Sequence, residues 1–162
     1  MEYLIQENTL IEIADALRDK LVYKDIMYGI VADRNKIATV EIPEGATIIR
    51  KNVFANCDNL ADVIIPKGVT HIDYGAFQYC KNLKSIIIPN SVVDIFNYAF
   101  TGCTSLTDMY LHSVTPPTLG SYDPISSYTT TIHVPVGSGN AYKTATNWSN
   151  YADKIVEDII VE

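Results

Sequence analysis

One 23-residue pattern passes three times through residues 37–105 and starts a fourth time, and this constrains the fold more than any other feature of the chain. Set in register, the blocks read "IATVEIPEGATIIRKNVFANCDN", "LADVIIPKGVTHIDYGAFQYCKN" and "LKSIIIPNSVVDIFNYAFTGCTS", followed by "LTDMYLHSVTPP". Pro43, Pro66 and Pro89 share a column, as do Phe54, Phe77 and Phe100, then Cys57, Cys80 and Cys103, then Ile37, Leu60, Leu83 and Leu106. A period of this length is the mark of stacked repeats, because one unit cannot bury its apolar face alone and must cover it with the next.

Within each block the apolar residues alternate, with the pairs Val40/Ile42, Val63/Ile65, Ile86/Ile88 and Met109/Leu111 at the period of two expected of a strand pointing them inward. Proline follows in the three full copies and ends the ladder, since it has no N–H to donate. A second extended run adds Ala46 and Ile49, Val69 and Ile72, and Val92 and Ile95 to the same interior. A turn then closes each block with the phenylalanine and, three residues on, the cysteine. In stacked units each Phe would rest on the next, with strands about 4.8 Å apart.

The flanks differ. Residues 9 to 21 predict a helix with Leu10, Ile13, Ala14, Leu17 and Leu21 on one face and a Thr9/Glu12 capping box. Its apolar face suits the open end of the first repeat. A strand and a polar turn at Asp33 to Lys36 lead into that repeat. After Leu111 the columns fail, with His112 where proline stood, Asp123 where phenylalanine stood and Ser126 where cysteine stood. From Pro116 a polar loop is expected to about Tyr128, then a strand in "TTTIHVPV" and a short helix from about Ser138, with Trp148 and Tyr151 sealing the end.

Those columns resemble the BspA-like subclass of leucine-rich repeats, through Ile65-Pro66, Val69, Ile72, Ala76-Phe77, Cys80 and Leu83. Val53 departs from it where the "AF" pair would have alanine. The resemblance implies a β-rich solenoid with little helix, a right-handed coil of about four 23-residue turns. The expected organisation is an N-terminal helix and hairpin cap over 1–36, the solenoid over 37–111, and a C-terminal strand-helix cap over 112–162, in one structural domain. The run "TIHVPVGSGNAYKTATNWSNYADKIVE" is similar to segments that close such arrays.

Composition bounds the function. A net charge of −7 and a pI near 4.8 disfavour nucleic acid and anionic membranes, whose binders present Lys and Arg to phosphates. No apolar run approaches the roughly 20 residues of a spanning helix, and the start lacks the basic and continuous apolar parts of a secretory signal. No membrane insertion is expected. The cysteine spacing follows the repeat and matches no zinc site, so no metal is predicted; buried thiols are the favoured reading, with a bridge between adjacent copies geometrically open. His71, His112 and His133 stand singly, with no triad or metal motif near them. "GSGN" at 137–140 lacks the lysine of a phosphate loop and reads as a turn before a helix. No enzyme and no cofactor is expected.

What remains is surface. The outward strand positions form two columns, Thr39, Asp62, Ser85 and Asp108, and Glu41, Ile64, Ile87 and Tyr110. An exposed Ile-Ile-Tyr row is either β-propensity covered by a loop or cap, or a patch for a partner. The candidate site is therefore Glu41, Asp62, Ile64, Ile87, Asp108 and Tyr110, with Tyr74, Tyr79 and Tyr98 as a second aromatic group on the turn side. The resemblance implies a non-enzymatic binding or adhesion module that presents a rigid surface to a protein or glycan on a cell surface, placed extracellularly or on a virion. The alternative is a structural component of a phage or prophage tail, attached through the N-terminal helix, because "LIQENTLIEIADALRDKL" is similar to segments ahead of such repeats in prophage tail proteins. The missing signal leaves a cytoplasmic stage before release by lysis open.

Overall fold

The repeat length is also the spacing of backbone pairing. The computed structural model of the protein describes residues 36–125 and 130–160; the expected 9–21 helix, the strand expected after it, Asp33 to Asn35 of the polar turn, and Ser126 and Tyr128 lie outside them. The described residues are mostly short strands with little helix, and every strand pair is parallel. Two tracks run side by side. The first holds β1 (Thr39–Glu41), β3 (Asp62–Ile64), β5 (Ser85–Ile88), β7 (Asp108–Leu111), β9 (Thr131–Pro135) and β10 (Ile155–Ile159). The second holds β2 (Ile48–Ile49), β4 (His71–Ile72), β6 (Asp94–Ile95) and β8 (Thr118–Leu119).

Equivalent residues of successive repeats face one another. Val40 pairs with Val63, Ile86 with Met109, and Met109 with Ile132 on the first track; Ile49, Ile72, Ile95 and Leu119 line up on the second. The second track is one four-stranded sheet, whereas the first divides into β1–β3 and β5–β7–β9–β10. Between the tracks each proline carbonyl accepts a turn bond, from Ala46, Val69 and Val92 in turn, so the residue that ends one strand also starts the next.

The interior is the set of columns read from the sequence. Phe54, Phe77 and Phe100 are buried and stacked, with ring centroids 5.3 and 5.4 Å apart. Cys57, Cys80 and Cys103 are buried free thiols. Cys80 Sγ donates to the Phe54 carbonyl oxygen at 3.2 Å and Cys103 Sγ to that of Phe77 at 3.1 Å. The hydrogen bond with Cys103 and burial both push the Cys80 thiol far up, so it carries no thiolate at neutral pH. Two further columns set the turns: Asn52, Gly75 and Tyr98, and Asn56, Tyr79 and Gly102, all at φ between 54° and 72°. This left-handed region suits glycine and asparagine, and here it also takes two tyrosines.

Pairing does not stop at Leu111. β8 lies within the expected loop, and its Leu119 faces Ile95, 24 residues back. Ile125, not Asp123, bridges Phe100; Asp123 instead takes the left-handed turn position at φ 42°. By β9 the register has returned, with Thr131 opposite Asp108. The fourth copy thus gains length after Leu111 and loses it before Thr131, which hides it from a fixed 23-residue template.

Gly120 marks where this longer copy must press close. A Cβ there would lie 2.5 Å from the Asn97 nitrogen and 2.8 Å from its Cα, and backbone cannot step aside as a side chain can. Gly120→Ala is expected to cost about 1–3 kcal/mol, as overpacking does, read as a lower denaturant midpoint. A midpoint equal to that of the unsubstituted protein would show that the repeats can slide apart.

Beyond β9 come helix α1 (Gly139–Thr144) and a kinked 3-10 segment, Trp148–Lys154. Side chains here donate to backbone carbonyls of the fourth copy. Tyr142 Oη reaches Ser113 at 2.8 Å, Asn147 Nδ2 reaches Leu119 at 2.6 Å, Trp148 Nε1 reaches Pro117 at 2.7 Å and Tyr151 Oη reaches Ile125 at 3.0 Å. The outer edge of β8 thereby finds donors without another strand, satisfying polar groups that burial would otherwise leave unpaired.

Candidate functional site

The outward columns sit on the first track as the strand alternation requires. Glu41 pairs with Ile64, and Ile87 with Tyr110, while Thr39 pairs with Asp62 and Ser85 with Asp108. Glu41 and Asp62 are exposed. Ile64 and Ile87 are 56% and 54% exposed, a large apolar surface for two residues on neighbouring copies. They flank the break in the sheet between β3 and β5.

Farther along, the row changes character. Tyr110 is half-buried because its ring stacks on His133, the next residue in the column, at 4.3 Å and 15°. Val156 of β10 extends the row opposite His133 and is 43% exposed. Tyr110 is therefore held by an internal contact, unlike the two isoleucines. His133 in turn is gripped from both sides, with Nε2 3.0 Å from Asp108 Oδ1 and Nδ1 2.7 Å from Asp158 Oδ2. Asp158 gets there through an irregularity in the β9–β10 register between Glu157 and Ile159.

Charge follows from this geometry. Burial pulls the His133 imidazole down, but the hydrogen bonds and charges of Asp108 and Asp158 outweigh it, and the net shift is upward. Asp108 is held below its ordinary value by the Thr107 hydroxyl first and His133 second. A raised base stabilises fully below its unfolded value and loses this as pH rises through the folded one; a lowered acid stabilises above its unfolded value and loses this as pH falls through the folded one. The cluster contributes most between the ordinary carboxylate and histidine ranges. His133→Gln is expected to lower stability there by about 0.5–1 kcal/mol, since both carboxylates are partly solvated. The deficit should fade towards alkaline pH. Denaturant titrations at several pH values would read it, and a deficit constant with pH would assign the loss to packing on Tyr110.

Family and structural relatives agree with this repeat geometry. The model of the BspA type leucine rich repeat region matches residues 25–135, in six copies. The chain belongs to this family. No curated protein matches the sequence. Among solved structures, a leucine rich cell surface protein from Faecalibacterium prausnitzii A2-165 is similar at a TM-score of 0.50 and 22% identity, covering 68% of this chain. This chain spans 36% of that one, and at such identity the likeness is one of fold.

Other polar groupings on these leucine-rich repeats have structural explanations. On the second track Thr70 Oγ1 lies 2.7 Å from His71 Nδ1, and His71 Nε2 lies 3.0 Å from Asp94 Oδ2. The order Thr–His–Asp is that of a nucleophile relay, yet the Thr70 hydroxyl also bonds the Thr47 carbonyl at 2.9 Å, and Asp94 is simply the paired residue of His71. The row is a cross-strand ladder. On the turn side Tyr74 meets Tyr98 edge-on at 5.1 Å, with Lys51 Nζ 4.9 Å from the Tyr74 ring centroid. Tyr79 stands apart from that pair, its ring over Gly102 where any Cβ would collide with it. Among the described residues no group of three or more His, Cys, Asp or Glu has metal-holding geometry, and no helix is long and apolar enough to cross a membrane.

Proposed function

We propose that this chain is a non-enzymatic binding module that presents a rigid repeat surface to a protein or glycan partner on a cell surface. The observation that carries this is the exposure of Ile64 and Ile87, at equivalent positions of neighbouring copies on either side of the break between β3 and β5. Water-facing isoleucines at equivalent positions cost solubility and bring nothing to the core, so their value lies in what covers them. Repeat proteins use such faces because the stack fixes the spacing of side chains along it. Glu41, Asp62, Asp108 and Tyr110 border the pair.

In this reading the chain is a right-handed solenoid with ends that need covering. Within residues 112–162, the stretch after β9 serves as the C-terminal cap, supported by the donors that Tyr142, Asn147, Trp148 and Tyr151 offer to Ser113, Leu119, Pro117 and Ile125 of the fourth copy, and residues 1–36 serve as the N-terminal one. The Faecalibacterium protein of similar fold is a cell surface protein, which supports the same location here. A structural role in a phage or prophage tail is the alternative, and tail genes beside this one would favour it.

The test is binding of the purified protein to whole bacterial and host cells, comparing the native chain with Ile64→Ser/Ile87→Ser and with a version that adds Tyr110→Ser. Loss in the double variant is expected, with little further loss from the third change, because Tyr110 is engaged with His133. Equal binding by native and double variant would move the site off this face.

A further inference from the structure

The first track carries no lysine or arginine on any of its strands. Its solvent-reaching charges are the carboxylates of Glu41, Asp62, Asp108, Glu157 and Asp158. The basic group among them, His133, already lies between Asp108 and Asp158. Lys84 and Lys154 precede β5 and β10, and the Lys154 ammonium is 3.2 Å from Asp153. The result is an apolar pair set in an acidic field. We propose that this face takes a cationic segment of another protein, one that lays a short row of apolar side chains over Ile64 and Ile87 and sets Lys or Arg against Glu41 and Asp62. This rests on the strand face being the binding surface and names the chemistry of its partner.

Each competing occupant meets a physical objection. A second copy of the chain, itself at −7, would bring like charges together at close range. Nucleic acid and anionic lipid fail for the same reason. A neutral glycan prefers aromatic faces, and the Tyr110 ring is taken up by His133. A cationic protein segment answers both features: burial of the isoleucines supplies affinity and the carboxylates supply steering and selectivity.

The probe is an amphipathic Leu/Lys peptide of about 15 residues, long enough to become helical on contact, titrated calorimetrically against the native chain beside Leu/Glu and Ser/Lys peptides of equal length. Only Leu/Lys should bind, and more weakly at high salt. Ile64→Ser/Ile87→Ser should weaken it by about tenfold or more, and Glu41→Gln/Asp62→Asn should weaken it and flatten its salt dependence. Asp73→Asn/Asp123→Asn, on the turn side, should change nothing. Circular dichroism of each variant checks that the fold is kept. No binding by Leu/Lys, equal binding by Leu/Glu, or indifference to the Glu41/Asp62 change overturns the cationic partner; if cell binding is still lost in the isoleucine variant, the strand face itself survives. Sedimentation showing a dimer that the isoleucine variant abolishes would overturn it in favour of self-association, and a cell-wall glycan fraction bound through the isoleucines would do so in favour of a glycan.

Discussion

Phe77→Ala is expected to destabilise the protein by about 3–5 kcal/mol, lowering the denaturant midpoint at a nearly unchanged slope. Phe77 is wholly buried, with the Phe54 ring at 5.3 Å on one side and the Phe100 ring at 5.4 Å on the other. Truncation leaves a void the size of a ring, walled by two aromatic faces. That void cannot collapse along the stack, because the Phe54 N–H bonds to Ala76 and the Phe77 N–H to Ala99, each at 2.9 Å, and these bonds hold the copies at fixed separation. Phe54→Ala is the control. Its ring stacks on Phe77 alone among the described aromatics, so its removal should cost less. If the two substitutions cost the same, the ladder contributes nothing beyond burial of single rings.

The columns that the sequence made legible are the ones that repeat at a constant interval. Pro43, Phe54 and Cys57 each recur 23 residues later because their side chains or turns must meet an identical neighbour, and such a requirement writes itself into the chain. The same holds for the outward row: alternation on a strand is local, so Glu41, Ile64 and Ile87 could be placed on the surface before any contact was known. Two kinds of feature were hidden. The first is the fourth copy, where pairing persists while the interval drifts from 23 to 24 and 25 and back; backbone hydrogen bonds do not need identical side chains, so no column announces them. The second is the environment of His133. Its partners lie 25 residues away on either side, and the position of Asp158 depends on a local irregularity in β10 that no periodicity encodes. Tyr110 looked equivalent to the isoleucines because the sequence shows the column and not the ring that stacks on it. The family resemblance lies in half the chain, whereas the chemistry at the end of the row lies in contacts that only the folded structure makes.

The second large effect is expected at the far end. Trp148 is the chain's single tryptophan, fully buried, edge-on to Tyr142 at 5.3 Å, with its indole N–H on the Pro117 carbonyl at 2.7 Å. Trp148→Ala removes both the largest buried side chain and a donor to the fourth copy, at a cost of about 3–5 kcal/mol. Trp148→Phe keeps most of the volume and leaves the Pro117 carbonyl buried and unpaired, at about 1–3 kcal/mol. The two defects differ from Phe77→Ala in reach. Phe77 sits where loss of stacking severs the ladder in the middle, while Trp148 joins one terminal segment to one copy, and in a stack each unit feels chiefly its neighbours. Hydrogen exchange should therefore quicken in Trp148→Ala at Thr118, Gly120 and along β10 well before β1 to β4 respond, and in Phe77→Ala on both sides of the second copy together. In the unsubstituted protein, tryptophan fluorescence and far-ultraviolet circular dichroism should lose their native signals at one midpoint if the end segment and the repeats unfold as a unit. An earlier fluorescence transition would mean that the segment around Trp148 detaches first, and the open edge of β8 would then be the place where unfolding begins.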